Sequence, residues 1–82
     1  ILQFPLYWYS VPPIMKQWFD HVLEHGWAYG SRGTALAGKR GGVAMSSGGR
    51  QAAYTADGHN RYTFDEFLRP VEATVRLCRM EW

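Results

Sequence analysis

Short apolar runs and segments of helical periodicity alternate along the chain. Residues 1–7 (ILQFPLY) are apolar and aromatic and end at a polar turn, which is typical of a buried strand. Pro5 lacks the N–H that a strand ladder needs, so it belongs at the end or edge of this strand. A second apolar run, residues 41–47 (GGVAMSS), opens directly into Gly48 and Gly49. The two runs predict two strands that each end in a loop.

Two other segments carry apolar residues at spacings of three and four, which predicts amphipathic helices. We expect Ser10 to cap the first helix and Gly26 to end it. The second helix should begin at a Thr-x-x-Glu capping box formed by Thr63 and Glu66. Pro70 lies inside this second segment, and we expect it to kink the helix because its ring removes a hydrogen bond.

The predicted order of strand, helix, strand, helix indicates an α/β fold with a parallel sheet, because the connections suit β-α-β crossovers. An open α/β sheet binds ligands where its strands end, which here means residues 5–10 and 46–59. At 82 residues, the chain allows one domain. It begins inside an apolar segment rather than at a methionine, so we expect residues 1–82 to form a single, partial domain.

Composition narrows the functional classes. The net charge is +2 and the basic residues are scattered, which argues against a nucleic-acid stripe. No apolar run approaches the length of a membrane span. Cys78 is the one cysteine, which excludes an internal disulfide framework and fits a reducing cytoplasm; its apolar helix face favours a core position. No metal-ligand cluster, Walker loop or Ser/His/Asp arrangement is visible.

The aromatic content of 16% is the unusual feature, and it is concentrated next to the first predicted strand end. Backbone N–H groups in a tight turn are fixed donors, and aromatic faces beside them offer stacking for a flat ring. Gly48 and Gly49 would let a ligand approach the backbone, and Tyr54 and His59 could donate to a developing negative charge. These properties suit a planar heteroaromatic ligand with carbonyl groups, such as a flavin or a nucleobase.

Each of these features also has a plainer interpretation. Trp8 and Tyr9 could be core aromatics, the Gly-Gly pair a loop hinge, and His59 a solvated side chain. Trp18 and Trp27 are assigned to packing.

The segment "QFPLYWYSVPPIMKQWFDHVLEHGWAYG" resembles the central part of flavodoxin-like NAD(P)H:quinone oxidoreductases. "SSGG", followed five residues later by Tyr54, is similar to the Thr-Thr-Gly-Gly and spaced tyrosine of that family. The ending "NRYTFDEFLRPVEATVRLCRMEW" resembles the branch that includes ancillary subunits of glutathione-gated potassium efflux systems. The resemblance covers essentially all 82 residues and implies a flavodoxin-like parallel sheet with flanking helices, of which this chain would be the C-terminal part.

The resemblance also implies roles for individual residues. One turn would hold the isoalloxazine ring of the flavin, and a second loop would reach the pyrimidine end of that ring. Further residues would stabilise charge on the reduced flavin or reach the substrate pocket. The implied ring-binding turn is Pro5, Leu6, Tyr7, Trp8 and Tyr9, and the second flavin loop is Ser46, Ser47, Gly48 and Gly49. Tyr54 would stabilise charge on reduced flavin, with His59 as its partner at a spacing one residue shorter than in the family. Tyr29 would reach the partner subunit's substrate pocket.

The implied activity is two-electron hydride transfer from NAD(P)H through FMN or FAD to a quinone, in a cytoplasmic homodimer. An alternative is an ancillary regulatory protein of a glutathione-gated potassium antiporter, peripheral to the inner face of the membrane. A further alternative is a truncated, inactive product, because the family's phosphate-binding loop has no counterpart in this sequence.

Overall fold

A computed structural model describes residues 1–82 as a two-stranded parallel sheet with helices. The strands are β1 (Leu2–Pro5) and β2 (Val43–Ser46); the helices are α1 (Pro13–Val22), α2 (Phe64–Phe67) and α3 (Arg69–Leu77). A short 3-10 turn spans Gln51–Ala53. The strands pair in register from Leu2 opposite Val43 to Pro5 opposite Ser46. The predicted order and the parallel α/β fold are therefore confirmed.

Pro5 is the last residue of β1, which agrees with its missing N–H. The ladder continues one residue further, because the N–H of Leu6 donates to the carbonyl oxygen of Ser46 at 2.8 Å. This bond fixes the end of β1 directly against the end of β2. Both loops that follow the strands therefore leave the sheet at one edge.

The predicted limits of the first helix were wrong at both ends. Pro12, not Ser10, occupies the N-cap, and no side chain caps this helix. Ser10 lies too far upstream, since its backbone pairs with Tyr7 in the preceding turn. The helix ends at Val22, and Gly26 instead serves a later turn, where its φ of 84° is in the left-handed region that glycine tolerates.

The predicted capping box is confirmed. The hydroxyl oxygen of Thr63 accepts from the backbone N–H of Glu66 at 3.2 Å, and the Glu66 carboxylate accepts from the Thr63 N–H at 3.1 Å. Pro70 acts differently from the expected kink. It lies in the first turn of α3, where no N–H is required, and Leu68 separates α2 from α3.

The core is small and lies on one face of the sheet. Phe4 of β1 packs with Leu68 and Val71, and partly buried apolar side chains surround this cluster (Leu2, Leu6, Val11, Met15, Val43 and Met45). Helix α1 contributes no fully buried residue, and a cavity of ≈ 150 Å³ lies between it and α3. The assignment of Trp18 and Trp27 to packing was wrong in extent, because they stay 47% and 45% exposed.

Gly41, just before β2, packs closely against Val75 of α3. A Cβ built on Gly41 would lie 2.7 Å from Cγ1 of Val75, which is itself 2% exposed. The next residue, Gly42, has only one ordinary contact, at 3.8 Å from Ile1. The close packing of α3 on this segment therefore requires glycine at position 41 and not at position 42.

We predict that Gly41→Ala lowers the free energy of unfolding by about 1–3 kcal/mol, because a buried valine cannot move away from the added methyl group. Gly42→Ala is the matched control and should change stability by less than about 0.5 kcal/mol. Urea denaturation followed by circular dichroism measures both. Equal effects of the two substitutions would contradict the described packing of α3.

Candidate functional site at the strand ends

The turn after β1 spans Tyr7–Ser10 and has an unusual conformation. Backbone hydrogen bonds run both ways between Tyr7 and Ser10, at 3.0 and 2.9 Å. The two central residues, Trp8 and Tyr9, have φ values of 48° and 63°. Positive φ at both central positions is the requirement of a type I′ turn, which normally uses Asn and Gly. Here two bulky aromatic residues adopt it, at a cost of about 1–2 kcal/mol each.

Contacts from the second half of the chain support this strained turn. The Tyr9 ring stacks on Phe67 of α2 with centroids 5.1 Å apart. The Tyr9 hydroxyl donates to Oδ1 of Asn60 at 3.0 Å. Trp8 makes no comparable contact and is 93% exposed. The turn therefore anchors one aromatic ring and presents the other to solvent.

The loop after β2 presents free backbone donors. The N–H groups of Ser47, Gly48 and Gly49 have no acceptor within the protein, and those of Trp8 and Tyr9 across the edge are free as well. The Ser47 hydroxyl donates to the Gly49 carbonyl oxygen at 3.0 Å, which holds the loop tightly curved. Successive free N–H groups in such a curve form a site for carbonyl oxygens or anions.

Two grooves lie at this edge of the sheet, and the residues Leu6, Trp8 and Gly48 line both of them. The first groove, of ≈ 650 Å³, is completed by the ends of the two strands and the start of α1 (Pro5, Tyr7, Pro13, Ser46 and Ser47). The second groove, of ≈ 350 Å³, is completed by the turn and the later loop (Tyr9, Gly49, Ala53, Tyr54, His59 and Asn60). The structure thus brings together every predicted rim residue, and Trp8 borders both grooves.

The charge of these grooves limits what they could hold. His59 is the one ionisable residue, besides the tyrosines, among the lining residues, and no lysine, arginine or carboxylate is present. Glycine at position 48 leaves open space, since no atom lies within 4 Å of a Cβ built there. An uncharged planar molecule with carbonyl groups fits this combination of aromatic faces, neutral walls and N–H donors.

Tyr54 is the most firmly held of the predicted catalytic residues. Its ring is 8% exposed, stacks on Phe64 at 4.0 Å and lies against Gly49, where an added Cβ would approach Tyr54 Cε2 to 3.2 Å. The hydroxyl makes no hydrogen bond to the protein, yet it is not a buried unsatisfied group. It is therefore accessible in the second groove. His59 lines the same groove, is exposed and makes no side-chain hydrogen bond.

Tyr29 does not join this site. It lies in the loop between α1 and β2, where its backbone pairs with His25 and the two rings meet edge to face at 5.3 Å. Neither groove includes it among its lining residues. Its predicted role toward a partner subunit stays a prediction.

Other chemistry is remote from the grooves. Cys78 is 1% exposed, and burial raises the pKa of its thiol, so it is a core residue in its present position. No group of three or more His, Cys, Asp or Glu side chains is arranged to hold a metal ion. None of the helices combines the length and the apolar character that crossing a membrane requires.

The residues that support the site were the ones that sequence reasoning missed. Asn60 holds Tyr9, and Phe67 and Phe64 lie beneath Tyr9 and Tyr54. Both phenylalanines belong to the second predicted helical segment, which begins at the capping box, but the sequence carried no sign that their side chains reach the rim. The polar loop around Asn60 gave no signal of a contact 51 residues away.

This chain is similar to known proteins over its whole length. A family model described as "Flavodoxin-like fold" matches residues 1–82. The ancillary protein KefG of a glutathione-regulated potassium-efflux system from Cronobacter sakazakii is 48% identical over all 82 residues, which cover 45% of that relative.

Two solved structures extend the comparison. General stress protein 14 from Treponema denticola, in complex with FMN, matches 96% of this chain and 45% of its own at 48% identity, with a TM-score of 0.94. An NADPH-quinone reductase from P. pentosaceus matches 98% of this chain and 47% of its own at 40% identity, with a TM-score of 0.92. The chain spans less than half the length of these proteins.

Proposed function

This chain belongs to the family of flavodoxin-like fold, and from that premise we propose that it forms the ring-binding part of a flavin-dependent NAD(P)H:quinone oxidoreductase. The flavin is FMN, as in the Treponema denticola relative. Quinone as the electron acceptor is supported by the similarity to the NADPH-quinone reductase.

The observation that carries this proposal is the convergence of two loops at the parallel strand ends. One loop presents an exposed aromatic ring and the other presents three successive free N–H groups. The isoalloxazine ring of a flavin is planar, and its pyrimidine end bears two carbonyl oxygens. Stacking on Trp8 and hydrogen bonds from Ser47, Gly48 and Gly49 satisfy both properties at once.

The remaining rim residues have supporting roles. Pro5 ends β1 opposite Ser46 and lines the first groove, and the next residue, Leu6, lines both grooves. Tyr7 and Tyr9 flank Trp8 in the turn and hold its backbone. Gly48 has no side chain to project into the grooves, and no other atom lies within 4 Å of the position that a Cβ would take, so the space there is open.

A bound flavin supplies the two-electron transfer between NAD(P)H and the acceptor, and the protein supplies orientation and charge stabilisation. Tyr54 would donate a hydrogen bond from its accessible hydroxyl into the second groove and so stabilise the negative charge of a reduced flavin ring. His59 borders the same groove and would act there as the partner of Tyr54. Tyr29 would reach into the substrate pocket of a partner subunit.

These grooves offer no basic side chain to bind the phosphate of a flavin nucleotide, because neither is lined by a lysine or an arginine. The chain also spans less than half the length of its flavin-binding relative. We therefore assign the ring, and not the phosphate, to residues 1–82.

We predict that the 82-residue chain binds lumiflavin, which is the bare ring system, about as tightly as it binds FMN. The equality follows because all the contacts described above are to the ring. Quenching of flavin fluorescence measures both affinities. A chain that is folded by circular dichroism and binds neither compound would overturn the proposed function, and a strong preference for FMN would contradict the assignment of the ring alone.

Trp8→Ala and Trp27→Ala form a matched pair for this measurement. Trp8→Ala should weaken lumiflavin binding roughly tenfold, since stacking of a flat ring on an aromatic side chain contributes about 1–3 kcal/mol. Trp27 is also partly exposed and lies outside both grooves, so its replacement should leave the affinity unchanged.

We predict that Tyr54→Phe slows reduction of the bound flavin by NAD(P)H more than it weakens flavin binding. Loss of one donor to a developing charge typically costs about 10²-fold in rate, whereas the phenylalanine ring keeps the stacking on Phe64. Stopped-flow absorbance in the flavin-loaded protein gives the rate, and titration gives the affinity. Equal losses in the two quantities would argue against the charge-stabilising role.

A second candidate function is favoured by the KefG relative, which is an ancillary protein of a potassium-efflux system. In this reading the same fold docks on a membrane antiporter and regulates it. Deleting the gene should then weaken glutathione-gated potassium efflux while the amount of antiporter stays unchanged. Unaltered efflux in the deletion strain would remove this candidate.

A further inference from the structure

We propose that Asn60 is a positioning residue of the site: by accepting the Tyr9 hydrogen bond, it locks the left-handed turn that presents Trp8 to a planar ligand. The inference rests on the proposed function for the identity of that ligand. It assigns a role to a residue in the loop after the 3-10 turn that acts through Tyr9.

The turn needs such support because its own sequence works against its conformation. Trp8 and Tyr9 both have positive φ, a region that bulky residues rarely adopt. The two backbone hydrogen bonds between Tyr7 and Ser10 close the turn without any side chain. With nothing else to hold them, the two central residues would gain freedom by returning to negative φ. Conformations of this kind persist when surrounding contacts over-determine them.

Tyr9 provides the two contacts that restrain the turn from outside. Its ring stacks on Phe67 with an interplanar angle of 28°, which fixes the plane of the ring. Its hydroxyl donates to Asn60 Oδ1 at 3.0 Å, which fixes the rotation and the reach of the side chain. The stacking contact alone would let the ring slide across Phe67, and the hydrogen bond removes that freedom.

Asn60 is itself well placed to act as a fixed acceptor. Its backbone N–H donates to the carbonyl oxygen of Ala53 at 2.9 Å, which ties it to the 3-10 turn beside Tyr54. Asn60 as a whole is half-buried at the rim of the second groove. The Tyr9–Asn60 bond therefore joins the loop after β1 to the loop after β2 and spans the groove between them.

Locking Tyr9 has a direct consequence for Trp8. The two residues are consecutive in the turn, so a fixed Tyr9 backbone also fixes the direction of the Trp8 Cα–Cβ bond, from which the exposed indole extends. An aromatic ring that is 93% exposed has no contact of its own to hold it ready for stacking. Pre-organisation by Asn60 lowers the ordering cost that a ligand would otherwise meet on binding.

Three variants test this role. Asn60→Ala removes the acceptor, Tyr9→Phe removes the donor while it keeps the stacking ring, and Asn60→Asp keeps an acceptor oxygen at the same reach. Gln51→Ala is the matched control, because Gln51 is an exposed side-chain amide in the preceding 3-10 turn and makes no side-chain hydrogen bond. All are compared in the 82-residue chain after circular dichroism has established that the fold is retained.

The first readout needs no ligand. Heteronuclear NOE values in the ¹⁵N-labelled chain report the order of the Trp8 and Tyr9 backbone amides and of the Trp8 indole N–H. We expect lower values in Asn60→Ala and Tyr9→Phe, and wild-type values in Asn60→Asp and Gln51→Ala. Unchanged order at Trp8 and Tyr9 in a folded Asn60→Ala chain would overturn the proposal.

The second readout is lumiflavin affinity in a double-mutant cycle. Asn60→Ala and Tyr9→Phe should each weaken binding about fivefold, the equivalent of one ordinary hydrogen bond, and the double variant should lose no more than either single one. Additive losses would contradict an action through Tyr9. If the wild-type chain binds no lumiflavin, the proposed function fails, and the NOE values alone then decide whether Asn60 locks the turn.

Discussion

The site depends on the parallel pairing of two four-residue strands. Because β1 and β2 run in the same direction and pair from Leu2 with Val43 to Pro5 with Ser46, their carboxyl ends meet at one edge. Antiparallel pairing would have put the aromatic turn and the glycine loop at opposite edges of the sheet. The hydrogen bond from the Leu6 N–H to the Ser46 carbonyl oxygen extends this pairing by one residue. It thereby sets the distance between the loop that follows β1 and the loop that follows β2.

Helices α2 and α3 give this edge its second support. Phe64 and Phe67 of α2 come just before Leu68 and Val71, which pack on Phe4 of β1, so this continuous stretch of chain joins the core to the rim. The capping box at Thr63 fixes where that helix begins and thereby fixes the height of both phenylalanines. A change in the start of α2 would move the rings on which Tyr9 and Tyr54 rest.

The core beneath the site is modest for a folded chain. Eight of 82 residues are buried, and α1 contributes none of them, so much of its apolar surface, including Ile14 at 77% exposure, stays open. With so small a core, we expect a low free energy of unfolding, and the strain of a turn held in the left-handed region reduces it further. A ligand that contacts both loops would stabilise the folded state in proportion to its affinity, and the contacts between Tyr9, Phe67 and Asn60 reduce the strain that it must offset.

The sequence by itself determined the order of the elements, the parallel fold, the capping box at Thr63 and Glu66 and the set of residues at the strand ends. Those features depend on local periodicity, on capping chemistry and on the general rule that parallel strands meet at one edge. It also placed Pro5 correctly, because a missing N–H is a local property. It failed at the start of α1, where the nearest capping residue, Ser10, is already used by the preceding turn.

Only the tertiary structure decided the positive φ values of Trp8 and Tyr9, the exposure of Trp8 and the contact between Tyr9 and Asn60. A bulky aromatic pair has no local preference for the left-handed region, so the conformation can be selected only by partners far away in the sequence. Asn60 lies 51 residues after Tyr9 and Phe67 lies further along, and the packing of Leu68 and Val71 on Phe4 of β1 brings this part of the chain to the turn.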